Sequence, residues 1–114
     1  MDPLLGNAGN VTAVTVGEIL LGVAKMPRGT RREVLGSRYA RMLSTYFSGC
    51  VLPFDWAASI EYADIVATRR GGGRPISQSD AEIAAIVRSR EGVLWTRNVR
   101  DFEGCGIEVV NPWE

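Results

Sequence analysis

Short apolar runs alternate with amphipathic stretches along most of the chain. Val11 to Val16 is rich in β-branched residues and reads as a short strand. Thr15-Val16-Gly17-Glu18 fits a capping box, in which a hydroxyl and a carboxylate three residues on satisfy free N–H groups. The pattern therefore predicts a helix running to about Ala24, broken by Pro27 and Gly29. From Arg31 to Phe47 the apolar positions, Val34 and Leu35 through Tyr39 and Met42 to Tyr46 and Phe47, fall on one stripe of a long helix that Gly49 ends. Core packing is the default use of that stripe; its Tyr and Met residues also suit a partner groove. Cys50-Val51-Leu52 reads as a second strand closed by Pro53, and Ala-rich Trp56–Arg70 as a helix stopped by Gly71-Gly72-Gly73. Ser77 to Arg90 is a further helix with Ser77 and Asp80 as its capping box. A strand over Val93–Thr96 follows, and a last one over Ile107–Val110. The predicted fold is α/β with a short parallel sheet, in one domain, as 114 residues suit.

Ligands of such sheets bind beyond the carboxyl ends of the strands, which directs attention to three acids. Glu18 and Asp80 each start a helix with apolar neighbours one turn on: Leu21 and Gly22 for Glu18, Ile83, Ala84 and Val87 for Asp80. Asp101 follows the strand ending at Thr96, within the polar segment Thr96-Arg97-Asn98-Val99-Arg100-Asp101. Each acid alone is explained by capping or turn formation. Together, at one sheet edge, they would share a pocket and need a cation, and oxygen donors without His or Cys select Mg²⁺ or Mn²⁺.

Composition narrows the chemistry. There is no histidine, which excludes Ser-His-Asp, Cys-His and His-ligated zinc sites. Thirteen basic residues balance thirteen acidic ones, but Lys25 is the only lysine. Arginine suits phosphate contact; codon bias explains the skew equally well. Arg69, Arg70 and Arg74 flank the triple glycine and, with Arg97, are candidate RNA-phosphate contacts, against the plainer reading of a solvated helix end. No G-K-[ST] follows the glycines, so they make no P-loop. Cys50 and Cys105 read as reduced, structural thiols. The apolar runs are too short to span a bilayer, and no signal-peptide pattern is visible, which places the chain in the cytoplasm.

Several motifs resemble those of PIN-domain proteins, and they occur in the family's order. Thr15 to Val23 resembles T-x-x-E-L-x-x-G, and Leu52-Pro53-Phe54-Asp55 resembles the family's middle strand-to-helix junction. Pro75-Ile76-Ser77 through Asp80-Ala81-Glu82-Ile83-Ala84-Ala85 resembles the third motif, and Thr96 to Phe102 the fourth, T-R-N-x-x-D-F. Asn111-Pro112-Trp113 is similar to the ending of the VapC-like and FitB-like branch. The resemblance covers about residues 11–114. It implies a three-layer α/β/α fold and a toxin that is an Mg²⁺- or Mn²⁺-dependent endoribonuclease. A homodimer and a VapB-like antitoxin that occludes the acidic site are also implied. Glu18, Asp80 and Asp101 would then be catalytic metal ligands, with Thr15, Thr96 and Asn98 in support. One departure stands out. Family members open with a strand ending in an aspartate, typically in L-D-T-N, whereas this chain begins Met1-Asp2-Pro3 and soon enters the second motif. Asp2 lies too near Glu18 to replace that aspartate, so the resemblance implies a chain without the first strand and one metal ligand. The rival expectation is a protein that binds or titrates an antitoxin without cleaving RNA. A third is a nucleic-acid binder acting through the arginine loop, salt-sensitive and indifferent to Asp80.

Overall fold

The structure, a computed structural model, describes residues 11–46 and 51–111. Expectations for Asp2, the opening strand, Phe47, Cys50 and Trp113 therefore lie outside the described residues. The chain runs β1 (Val11–Thr12), α1 (Ala13–Ala24), α2 (Thr30–Tyr46), β2 (Val51–Leu52), α3 (Trp56–Gly71), α4 (Gln78–Ser89), β3 (Val93–Trp95), a 3₁₀ turn (Val99–Phe102) and β4 (Glu108–Val110).

The α/β class and the parallel pairing agree with the sequence reading. The strands, however, form two separate pairs among the described residues, β1 with β2 and β3 with β4. Leu94 faces Val109 in the second pair, and Thr96 N–H extends that ladder by donating to Val110 O at 3.0 Å.

The capping box at Thr15 is a correction. Thr12 is the N-cap of α1, its hydroxyl accepting from Thr15 N–H at 3.0 Å. Thr15 is buried inside the first turn, and its hydroxyl lies 2.9 Å from that of Thr12. The β-branched run that reads as one strand is thus a two-residue strand followed by helix. Strand pairing ends at Thr12, whose hydroxyl can cap, and Val14 and Val16 are tolerated inside the helix at small propensity cost. Glu18 sits in the second turn rather than at the helix start. Elsewhere the caps fall as expected: Asp55 caps α3 through Ala58 N–H, and Ser77 caps α4 through Asp80 N–H.

The core sits around α4. Ala81 and residues 83–87 are buried and pack with Ala58 and Ile65 of α3, Leu94 of β3, Phe102 and Cys105. The N-terminal helices contribute much less. Leu21 is 52% exposed, so the apolar neighbour expected beside Glu18 on the buried side faces outward in this chain. On α2, Val34 is exposed while Leu35, Tyr39 and Met42 are only half-buried.

Candidate active site

α4 is the shared wall of the candidate site. α1, carrying Glu18, packs against it, and so does the 3₁₀ turn carrying Asp101; Asp80 stands in the first turn of α4 itself. None of the three carboxylates takes part in an ion pair among the described residues. Their electrostatics tie them together. Burial pushes the Glu18 carboxyl above its ordinary range, and the charges of Asp80 and Glu82 push it further. Burial also raises Asp80; the hydrogen bond from Ser77 acts against this, Asp101 adds to it and the Arg69 guanidinium opposes it. Like charges held near one another without a counterion raise each other's proton affinity.

Glu82 is a member of this group that the sequence reading missed. Its carboxylate accepts from Gln78 Nε2 at 3.3 Å on α4. The available signal was its position two residues beyond Asp80, close enough to share the helix's first turns.

The donor chemistry suits a hard divalent cation, since all candidates are carboxylates. The spacing is looser. Among the described residues no group of three acidic, thiol or imidazole side chains is gathered closely enough to hold a metal ion. Glu18, Asp80 and Asp101 therefore lie within electrostatic reach of one another without closing a three-ligand cage.

The supporting residues have defined structural work. Thr96 is fully buried, and its Oγ1 accepts from Asn98 N–H at 3.0 Å, which turns the chain from β3 into the 3₁₀ segment. This engagement replaces the expectation that Thr96 orients a water or ligand. Asn98 precedes the 3₁₀ turn without capping it through its side chain. It lines a cavity of about 430 Å³ with Arg97, Val99, Arg100, Asp101 and Asn111. Thr15 stays in the Thr12 pair described above.

The arginines divide. Arg69 as an RNA contact is a correction: it is 8% exposed, and its guanidinium is spent on the protein's own backbone. The triple glycine reads as a flexible loop, but Arg69 lies one residue inside the helix and points inward. Arg74 is half-exposed and bridges Glu103 at 3.1 Å. Arg70 and Arg97 are exposed. Arg88, absent from the sequence reading, bridges Glu61 and Asp64 at 2.9 and 2.6 Å and donates to Cys105 O. Cys105 is fully buried, and burial raises its thiol above the ordinary range, so it is structural as expected.

No helix among the described residues is long and apolar enough to cross a membrane. No family model matches the sequence. Individual proteins do. The chain is 38% identical over 104 residues to the VapC ribonuclease Y4jK of Sinorhizobium fredii, an alignment covering 91% of this chain and 74% of that protein. It is 32% identical over 113 residues to toxin FitB of Neisseria gonorrhoeae, covering 99% and 81%. The fold superposes on a solved structure of FitAB bound to an IR36 DNA fragment with a TM-score of 0.85, at 32% identity and covering 92% of this chain and 73% of that one. Agreement of sequence and fold over nine-tenths of its length places the chain in the VapC/FitB family of PIN-domain ribonuclease toxins.

Proposed function

We propose that this chain is a toxin of a toxin–antitoxin pair that hydrolyses RNA phosphodiesters with the help of Mg²⁺ or Mn²⁺. The observation carrying this reading is the coupling of Glu18 and Asp80: two carboxylates from different helices, each raised by burial and by an acidic neighbour, with no bound base to neutralise them. Glu18 and Asp80 would hold the cation, with Asp101 contributing from the 3₁₀ turn. When bound, the cation would polarise the scissile phosphate and lower the pKa of the attacking water. The chain's own residues supply the rest. α4 keeps Asp80 fixed through the Ser77 cap, Thr96 shapes the turn that presents Asp101, and exposed Arg70 and Arg97 neutralise RNA phosphates.

The test is cleavage of a labelled RNA by the purified chain with and without Mn²⁺, alongside Asp80→Asn and Glu18→Gln. Metal-dependent cleavage lost in both variants supports the reading; cleavage that survives Asp80→Asn refutes it.

A second reading has its own observation, the absence of a closed three-acid group among the described residues. On that reading the chain binds an antitoxin without cleaving RNA. It predicts a stable complex with a VapB-like protein and no nuclease activity in either metal. Both readings include a homodimer, which sedimentation equilibrium of the purified chain would detect.

A further inference from the structure

Arg69 is a buried cation with an unusual set of partners. It lies in the last turn of α3. Its Nε donates to Arg74 O at 2.7 Å, and one terminal nitrogen donates to Asp101 O at 2.9 Å and Glu103 O at 3.0 Å, with Cys105 Sγ at 3.5 Å. Every oxygen acceptor is a neutral backbone carbonyl, and no carboxylate lies within ion-pair distance of it among the described residues. Burying a guanidinium without an anion is costly. An apolar side chain of similar length would pack there without that cost, so stability alone does not account for the residue.

The planar fork does something that no apolar residue or single donor can. It ties carbonyls of the 3₁₀ turn and the loop after it to the end of α3 at fixed angles. The loop is shaped around it. Gly104 takes φ +78°, and a Cβ there would stand 3.5 Å from Arg69 Cδ. The carbonyl held at 2.9 Å belongs to Asp101 itself.

We propose that Arg69 is a positioning residue for the acidic site, fixing the backbone from which Asp101 reaches toward Asp80. This rests on the acidic-site reading above. Groups that orient metal ligands typically contribute 10- to 100-fold in metal affinity.

The experiment is a calorimetric Mn²⁺ titration of the full chain, with the EPR spectrum of the bound Mn²⁺, for wild type, Arg69→Lys, Arg69→Gln, Arg88→Gln and Asp80→Asn. Arg69→Lys keeps the positive charge and loses the fork, so it isolates geometry from charge. It should weaken Mn²⁺ binding by about 10-fold or more and alter the EPR line shape. Arg69→Gln also removes a charge that repels the cation, so its affinity should fall between Arg69→Lys and wild type. Arg88→Gln serves as the stability control: it removes another hydrogen bond to the same loop, at Cys105 O, and two ion pairs, yet touches no carbonyl of Asp101. It should lower the melting temperature while leaving affinity and line shape unchanged. If Arg69→Lys binds as wild type does, with Asp80→Asn abolishing binding, the positioning role is overturned and the site stands. If Arg88→Gln loses affinity as Arg69→Lys does, the effect is loop stability and the proposal also fails. If wild type takes up no Mn²⁺, the acidic-site reading fails and Arg69 has no site to position.

Discussion

Two aromatic residues each follow an aspartate in this sequence and have opposite fates. Phe102 after Asp101 is 2% exposed, whereas Trp56 after Asp55 is 82% exposed. Truncating each to alanine should separate them sharply. Burying a side chain of this kind is worth about 1.5–3 kcal/mol. Phe102 is ringed by Ile65, Ile83 and Leu94 of the same core, so the vacated space cannot refill with water at no cost, and the total loss for Phe→Ala is about 3–5 kcal/mol. Against a typical domain stability of about 5–15 kcal/mol, that is a third or more of the whole. Trp56→Ala removes a ring already in solvent and should change stability by no more than about 0.5 kcal/mol. Urea unfolding followed by circular dichroism measures both. Phe102→Ala should shift the midpoint strongly downward at constant slope, since the surface exposed on unfolding barely changes. A midpoint within error of wild type for Phe102→Ala, or a larger loss for Trp56→Ala, would refute the assignment of the core.

Asp80→Asn should gain stability relative to wild type as pH rises. A carboxyl with a raised folded-state value binds its proton more tightly when folded, so wild-type stability falls as pH climbs from the ordinary carboxylate value through the raised one, and the loss is complete above it. The difference in melting temperature should therefore vanish in acid and grow toward neutrality; a favourable helix-dipole effect of charged Asp80 would produce the opposite trend. Thr12→Ala should cost about 1 kcal/mol by removing the cap of α1, read as a lower melting temperature, with Thr12→Ser restoring most of it. Gly106→Ala should destabilise by more than about 1 kcal/mol, because φ is +75° and the new Cβ would sit 3.3 Å from Arg88 Nη1; thermal melting that matches wild type would contradict this.

Helix positions were legible because caps and periodicity are local. Ser77 before Asp80, and Ile83, Ala84 and Val87 behind it, are found where their spacing puts them. The start of α1 was not legible, since Thr12 and Thr15 are both competent caps and only the pairing of Thr12 with Leu52 chooses between them. The candidate site was legible to the level of which acids share a region, through helix N-termini and strand ends. Arg69 was not. A helix-terminal arginine beside three glycines looks solvated, and its inward turn depends on carbonyls 32 and 34 residues further along the chain. The polar cluster after Trp95 was half legible: its turn-forming residues were visible, but Thr96's use of its own hydroxyl to build that turn was not.

The uneven core has a dynamic consequence. Every residue of the main buried cluster falls between Ala58 and Cys105, while α1 buries only Thr15 and α2 none of its described side chains completely. β1 joins β2 through just two residue pairs, across forty residues of chain. Cooperative units with few buried contacts open at lower free energy than the whole molecule. Amides of α1 and α2 should thus exchange with deuterium well before those of α4, and Glu18 would ride on the part that opens first. The acids then belong to two separately melting pieces of one molecule. The site can come apart without the fold unfolding, and anything that clasps α1 against α4 would hold it together.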